Sequence, residues 1–480
     1  MTTRNKLNAL LVGYEVAPFY KRGGLGDVLG SLPLALASLG IDARVTMPYY
    51  NSVKRHYPQK EIASFSVIFD KKEEKVKILQ GVLPSSHVPI YFLANRKLIS
   101  IINLRQKNIE EFVFFDLAVA GFINWLEDQG SFIPDLVHCN DWHTALIPFL
   151  LKKRMKSSIK TLLTIHNLGY QGRGSFKALE QAGFENQDLK ILKKSKSITN
   201  LNALGEGILH ASKISTVSPR YAKEISQIRK RTQIYRYFRL REQLLGRSDK
   251  LIGILNGTDT KIWNPQEDKL IPKQYGVTEV STGKKKNKYI LLDELHLPAD
   301  KPTFTFIGRM ASQKGIELIL KIAEELVDLG INLILLGTGL KPLEQKVHAL
   351  SEKHSSAIKA ELIFTEKMAH RLYAAADFLL IPSNYEPCGL VQMIGMKYGT
   401  IPIAARTGGL IDTIDDGRTG FLFQKGSTHD LITTIKKVLK VYEDPERFEK
   451  MRKEAMREDF SWDKSATLYK KLYQTIVTSR

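Results

Sequence analysis

Along this chain, short continuous apolar runs alternate with glycine-rich or polar turns and with stretches whose apolar residues fall at helical spacing. Residues 7–12 form the first run, followed by the turn Lys21-Arg22-Gly23-Gly24-Leu25-Gly26-Asp27-Val28 and an apolar helix over 28–39. Residues 41–47 and 88–93 read as further strands, and 112–126 as an aromatic-rich amphipathic helix of the core. Two more apolar runs end in polar clusters: Asp135-Leu136-Val137-His138-Cys139-Asn140-Asp141-Trp142-His143, and Leu162-Leu163-Thr164-Ile165-His166-Asn167. The texture changes near Ile252-Gly253-Ile254-Leu255-Asn256-Gly257, after a charged stretch over 229–250. A second series follows, with strands over 303–307, 332–336, 361–364 and 377–381, a helix over 315–329 and another beyond the turn Gly337-Thr338-Gly339. Two successive series of strand and helix predict an α/β fold of two doubly wound, Rossmann-like domains. The ligand crevice is expected between them, where each domain offers its strand ends.

A chain of 480 residues exceeds one comfortable core, which agrees with two domains. Hydrophobic residues at 43% and charged residues at 25% describe an ordinary globular protein. The 71 Lys and Arg against 50 Asp and Glu leave a net charge of +21, which draws anions at long range without defining a site. The basic runs Lys284-Lys285-Lys286 and Lys193-Lys194 with Lys196 lack interleaved aromatics and read as solvated connecting loops, so no nucleic-acid partner is expected. Cys139 and Cys388 are too few for a disulfide framework and suggest a reducing compartment. The run 7–12 is too short for a signal peptide or a membrane span, so a cytoplasmic protein without a membrane partner is expected.

The chemistry concentrates at strand ends. After the apolar Phe378-Leu379-Leu380-Ile381 comes Glu386-Pro387-Cys388-Gly389-Leu390, then Val391 and apolar residues at near-helical spacing. A carboxylate therefore sits where a strand gives way to a helix, and Gly389 leaves the first amides of that helix open to an anion. Read alone, Glu386 is simply a helix cap. After the strand 303–307, Gly308-Arg309-Met310-Ala311-Ser312-Gln313-Lys314-Gly315 puts two cations on one loop, suited to a diphosphate or merely solvated. Lys21, Gly23 and Gly24 form a similar turn, which matches neither GxGxxG nor a Walker sequence. Asp141 and His166 lie just past their strands, where the crevice of an open α/β sheet would be. His138 and His143 lack the spacing of a zinc helix and no Cys pair supports them, so no metal is expected. Asp415-Asp416 before Gly417 reads as turn chemistry.

Taken in order, these motifs resemble the bacterial and plant glycogen/starch synthases, retaining glucosyltransferases of the two-domain GT-B architecture. The resemblance covers nearly the whole chain and rests on the 21–28 turn, the 138–143 and 164–167 clusters, Thr216-Val217-Ser218-Pro219, residues 253–257, Gly308-Arg309 with Gln313-Lys314-Gly315, residues 386–390, and Thr407-Gly408-Gly409-Leu410. It implies an N-terminal acceptor-side domain over 1–251, joined by a C-terminal helix over 462–480, and a donor-side domain over 252–461. It further implies transfer of glucose from ADP-glucose, with UDP-glucose as the alternative, to the non-reducing end of an α-1,4-glucan such as glycogen, with retention and with no cofactor. By the match, Arg309 and Lys314 would hold the diphosphate, helped by Lys21, Gly23, Gly24 and the amides of Gly389, Leu390 and Val391. Glu386 would grip sugar hydroxyls, His166 would meet the glucose through its backbone, Asp141 would orient donor or acceptor, and Asn256 would join the donor side. Two departures stand out. Val391 replaces the Thr common in the family, and the segment Thr232-Gln233-Ile234-Tyr235-Arg236-Tyr237 replaces an expected glycine-rich turn. The terminal helix, with Leu468, Leu472 and Ile476 at i, i+4 and i+8, is expected to cross back to the first domain. The competing readings are a glucan-binding protein that kept the fold and lost the chemistry, and a phosphorylase, which shares the architecture but needs pyridoxal phosphate.

Overall fold

The computed structural model describes residues 6–99, 109–184, 201–227, 240, 244, 246–247 and 251–479. The segment 232–237, most of the charged stretch 229–250 and the run at 193–196 lie outside the described residues. The chain forms two compact units, Met1–Gly257 with Trp462–Arg480, and Thr258–Ser461. The passage into the second unit falls later than the expected boundary at 251/252, because Leu251–Gly253 pairs with Lys213–Thr216 in the first sheet.

The first unit is built on nine strands: β1 (Asn8–Val12), β2 (Asp42–Pro48), β3 (Lys60–Phe69), β4 (Lys72–Val82), β5 (Pro89–Ala94), β6 (Leu136–Asn140), β7 (Lys160–Ile165), β8 (Lys213–Thr216) and β9 (Leu251–Gly253). Their order across the sheet is β9-β8-β7-β6-β1-β2-β5-β4-β3. All pairings are parallel except those of β4 with β3 and β5. The β3–β4 hairpin is absent from the expected elements, and its composition explains why: β4 alternates exposed Lys and Glu with buried Val76 and Ile78, so it carries no continuous apolar run. Helices α1 (Gly24–Ser38) and α2 (Ile109–Gln129) cover this sheet.

The second unit holds a six-stranded, all-parallel sheet. Its strands are β10 (Thr303–Ile307), β11 (Asn332–Leu336), β12 (Ile358–Glu361), β13 (Phe378–Ile381), β14 (Ile401–Ala405) and β15 (Phe421–Phe423), in the order β12-β11-β10-β13-β14-β15. β10, β11, β13, β14 and β15 are buried along their whole length, as strands covered on both faces must be. β12 ends at Glu361, short of the expected 361–364, and Ile363 and Phe364 stand exposed beyond it. Its helices include α3 (Val280–Glu294), α4 (Ile316–Asp328), α5 (Lys341–Lys353), α6 (Glu366–Ala375), α7 (Val391–Lys397), α8 (Thr428–Tyr442) and α9 (Pro445–Arg457).

The run Lys284-Lys285-Lys286 lies inside α3, not in a loop, and Lys284 is only 1% exposed. Its ammonium donates to the carbonyls of Tyr373 (2.9 Å), Ala374 (3.3 Å) and Tyr398 (3.1 Å) and to Thr400 Oγ1 (2.7 Å), closing the carboxyl ends of α6 and α7. Burial, with Arg452 and Lys288 nearby, holds its pKa well below the usual lysine range. One turn on, Lys288 Nζ meets Asp377 Oδ2 at 2.7 Å, and Arg452 Nη2 meets Asp377 Oδ1 at 2.5 Å. Asp377 also accepts from Thr303 N at 2.9 Å. This buried cluster therefore fixes the starts of β10 and β13 side by side, and the far ends of those two strands carry the candidate chemistry.

α10 (Trp462–Thr478) belongs to the first unit, where Lys470 Nζ donates to Leu39 O (2.7 Å) and Ser465 Oγ to Leu255 O (2.7 Å). Its buried stripe runs through Trp462, Ala466, Tyr469, Leu472, Tyr473 and Ile476, whereas Leu468, expected in the stripe, is 46% exposed. The two tyrosines turn the buried face away from Leu468. Tyr473 OH lies 2.7 Å from His138 Nδ1, whose Nε2 lies 2.6 Å from Thr164 Oγ1, so His138 is an internal strut between α10 and β7.

Candidate active site

Each sheet reverses its winding once, and an open α/β sheet offers its ligand crevice at the strand ends beside that reversal. In the second unit the reversal lies between β10 and β13, whose pairing runs Phe304 to Phe378 and Thr305 to Leu379. The loop after β10 carries Arg309 and Lys314, and the loop after β13 carries Glu386. Lys314 Nζ lies 2.6 Å from Glu386 Oε2, and Ser383 Oγ donates to the same oxygen at 3.0 Å. Glu386 is 6% exposed, while Arg309 reaches solvent and, among the described residues, its guanidinium meets only Gln313 Oε1, at 3.5 Å.

Backbone packing holds these loops in register. Gly315 adopts φ +70°, and a Cβ there would lie 1.9 Å from Pro382 O. Asn384 N donates to Gln313 O (2.9 Å), Asn384 Nδ2 to Ser312 O (2.7 Å) and Gln313 Nε2 to Tyr385 O (3.1 Å). On the other side, Gly409 N donates to Glu386 O at 3.0 Å. Gly389 adopts φ +77° ahead of Leu390, which caps α7, and Val391, its first residue. Leu390 and Val391 are partly buried against the core, so the Val391 side chain has an apolar neighbourhood, although its amide begins the helix.

The reversal of the first sheet lies between β1 and β6. Asp141, directly after β6, has φ +58° and ψ −175°, a region L-residues avoid. Its Oδ1 accepts from His166 N (2.7 Å) and Asn167 N (3.2 Å), and these bonds hold the strained residue in place. Burial raises its pKa to about 7 against the pull of those amides, and Glu15 adds to the rise. His166 Nε2 lies 2.9 Å from Asn140 Oδ1. Asn140 Nδ2 is committed to the carbonyls of Val12 and His138, each at 3.1 Å, so its oxygen faces the imidazole and Nε2 carries the proton. Burial also lowers the His166 pKa, keeping the ring neutral. His143 stacks on Tyr14, with centroids 3.7 Å apart, as part of an aromatic cluster.

In the glycine-rich turn, two amides have an internal partner. Glu15 lies just after β1, is 2% exposed, and its Oε2 accepts from the amides of Arg22 and Gly23, the latter at 3.0 Å. The Gly23 amide, expected to meet phosphate, here donates to an internal carboxylate, as a buried carboxylate needs donors. Gly24 opens α1 beyond it. Lys21 is likewise paired, with Nζ 2.7 Å from Asp27 Oδ1. Asn256 is buried, and its Oδ1 has no partner among the described residues. Sequence reasoning missed Glu15, although it is the first carboxylate after the first strand, and it missed Gln392, a lone polar residue among the apolar positions of α7.

Residues 8–237 match the model of the starch synthase catalytic domain, and residues 290–455 that of the glycosyl transferases group 1. Fold and site define a glycosyltransferase of two Rossmann-like domains. A sucrose-phosphate synthase from Thermosynechococcus elongatus shares that fold with a TM-score of 0.61 at 20% identity, over 98% of this chain and 99% of that one. Within the class, glycogen synthases from Thermodesulfovibrio yellowstonii and Kosmotoga olearia are each 37% identical, over 98% of this chain and 98% of theirs. The catalytic domain of starch synthase IV from Arabidopsis thaliana, bound to ADP and acarbose, matches with a TM-score of 0.89 at 30% identity, over 99% of this chain and 100% of that one. The chain belongs to the glycogen and starch synthase family. Among the described residues, no helix is long and apolar enough to cross a membrane.

Proposed function

We propose that the chain transfers glucose from ADP-glucose to the non-reducing end of an α-1,4-glucan with retention of configuration. The observation that carries this reading is the pair of strand ends at the reversal of the second sheet, where Lys314 meets the buried carboxylate of Glu386 and Arg309 stands exposed on the same loop as Lys314. Arg309 and Lys314 hold the diphosphate, Arg309 through its planar fork and Lys314 as a point charge. Glu386 accepts from hydroxyls of the glucose, and the amides of Gly389, Leu390 and Val391 face the phosphate. In the first unit, Asp141 and the backbone of His166 receive the sugar, Asn256 offers its unpartnered oxygen to it, and Lys21 and Gly24 contribute once a ligand competes for Asp27 and the turn.

In the reaction the bond between C1 and the diphosphate oxygen breaks, the acceptor hydroxyl bonds to C1, and its proton leaves with the departing diphosphate. Negative charge grows on the leaving group, and fixed cations stabilise that charge most when they are already in place. The preference for adenine rests on the likeness to a starch synthase solved with ADP, and that for a glucan acceptor on the same structure and on the glycogen synthase relatives. The test is to incubate the protein with glycogen and either ADP-glucose or UDP-glucose and to follow nucleotide release. Faster release from UDP-glucose overturns the donor assignment, and release from neither overturns the activity.

A further inference from the structure

Glu386 reaches the site on a loop whose backbone is held from behind by one buried side chain. Gln392, fully buried on α7, directs Nε2 at Cys388 O (3.0 Å), Gly389 O (2.8 Å) and Thr413 Oγ1 (3.0 Å). Thr413 Oγ1 in turn donates to Gly409 O at 2.7 Å, and Gly409 N donates to Glu386 O at 3.0 Å. The path is continuous: from Gln392 through Thr413 and Gly409 to the backbone of Glu386, and directly to the two carbonyls that follow Pro387.

Packing allows this clamp little slack. A Cβ at Gly389 would lie 2.3 Å from Gln392 Oε1, one at Gly408 1.9 Å from Glu386 O, and one at Gly409 2.3 Å from Cys388 O. Gly389 and Gly408 also hold positive φ, at +77° and +48°. The loop is therefore pressed between the 408–409 backbone and the Gln392 amide at van der Waals range. Gln392 Oε1 has no partner among the described residues, so the hydrogen-bonding role of the side chain lies in its NH₂ group alone.

We infer that Gln392 is a positioning residue for the transfer: it clamps the 386–390 loop so that the Glu386 carboxylate and the amides following it stand at fixed distances from the donor. This rests on the reading of Glu386 as the group that grips the sugar. Gln392 touches no substrate in this scheme and acts through the loop. A clamp of this kind governs kcat more than donor KM, because sub-ångström placement matters most to the transition state.

The test is a double-mutant cycle on kcat, with donor KM and Tm measured for every variant. Gln392→Met keeps the length of the side chain and removes the NH₂ donor, and it should lower kcat about tenfold, with donor KM within about threefold of wild type. Glu386→Ala should lower kcat further. If Gln392 acts through Glu386, the double variant should turn over within about twofold of Glu386→Ala alone. Losses that multiply in the double variant, or wild-type kcat in Gln392→Met, overturn the inference. Wild-type kcat in Glu386→Ala overturns instead the reading of Glu386 on which it rests. Should Gln392→Met not fold, the same cycle with Thr413→Val removes the hydroxyl that links Gln392 to Gly409, and the same non-additivity is expected.

Discussion

The two sheets wind alike and reverse at the same place, yet the groups at their reversals are satisfied in opposite ways. In the first unit two buried carboxylates, Glu15 and Asp141, draw their hydrogen bonds from backbone amides: those of Arg22 and Gly23 for one, and of His166 and Asn167 for the other. In the second, the carboxylate of Glu386 is met by the ammonium of Lys314 and the hydroxyl of Ser383, with Arg309 exposed one loop away. A site whose amides are already saturated by internal carboxylates has acceptors to offer and repels anions. A site that carries its own cations gains most from a ligand that brings negative charge. On the proposed reading, one topology thus presents a surface for neutral hydroxyls and a surface for phosphate, the two kinds of group that a sugar transfer from a nucleotide must handle.

The sharpest way to break this comparison is to strip the cations. Arg309→Ala and Lys314→Ala should each lower kcat about 10²- to 10³-fold if both face the leaving diphosphate. They should differ in stability. Arg309 is exposed, and its loss should leave Tm unchanged. Lys314→Ala abandons a buried carboxylate and should cost roughly 3 kcal/mol. Adding Glu386→Gln to Lys314→Ala should recover most of that stability and none of the rate. Equal Tm for the two single variants would mean that the Lys314–Glu386 pair is not kept in solution.

A smaller effect is expected at the edge of the same sheet. Phe364, 53% exposed, and Ile363, 77% exposed, stand beyond the carboxyl end of β12, the edge strand two places from β10. A nucleobase stacked there would explain why such side chains are left in water. Phe364→Ala should then raise the donor KM about tenfold, in line with base–aromatic stacking, with little change in kcat. An unchanged donor KM would put the base elsewhere.

The first unit can be tested by its acid. The Asp141 pKa, raised to about 7, lies above its unfolded value, so the native state holds an extra proton between the two. Stability from this residue is therefore lost as pH rises from about 4 to about 7 and is flat above. Asp141→Asn keeps an acceptor for both amides and removes the titration. The Tm of the variant relative to wild type should climb across that window. A constant difference would show that Asp141 does not hold its proton on folding.

Much of this architecture was written in the spacing of apolar residues, and the failures are physical. β10 and β11 were expected over the residues they occupy, because strands buried on both faces are apolar without interruption. The β3–β4 hairpin has one wet face and little such run, and Ile363-Phe364 drew β12 three residues too far although both are solvent-exposed. Lys284 looked like solvated charge, and only the carbonyls of Tyr373, Ala374 and Tyr398, distant in the chain, explain its burial. At the sites, strand ends pointed to Asp141, His166, Arg309, Lys314 and Glu386. The same rule applied to β1 would have found Glu15. Nothing local could have shown that Glu15 occupies the Gly23 amide or that Gln392 grips the loop ahead of it, since both depend on how a turn folds back in space.

The smallest expected effect concerns Val391, where the family pattern has a threonine. A threonine in this first turn could lend a hydroxyl to phosphate, and Val391→Thr nearly conserves volume. The side chain, however, packs with Leu390 against the core cluster that includes Ile394 and Leu410. A hydroxyl placed there is half desolvated and must find a partner or cost about 1 kcal/mol. The amide of residue 391, by contrast, is unaffected by the change and keeps its place at the start of α7. Val391→Thr should therefore lower Tm slightly and leave kcat within about twofold of wild type, because on the proposed reading the charges that govern the rate remain those of Arg309 and Lys314. If kcat instead rises threefold or more, the hydroxyl has rotated out of the core to the diphosphate. The second site would then hold its anion by the helix turn as well as by its cations, which narrows the contrast between the two reversals.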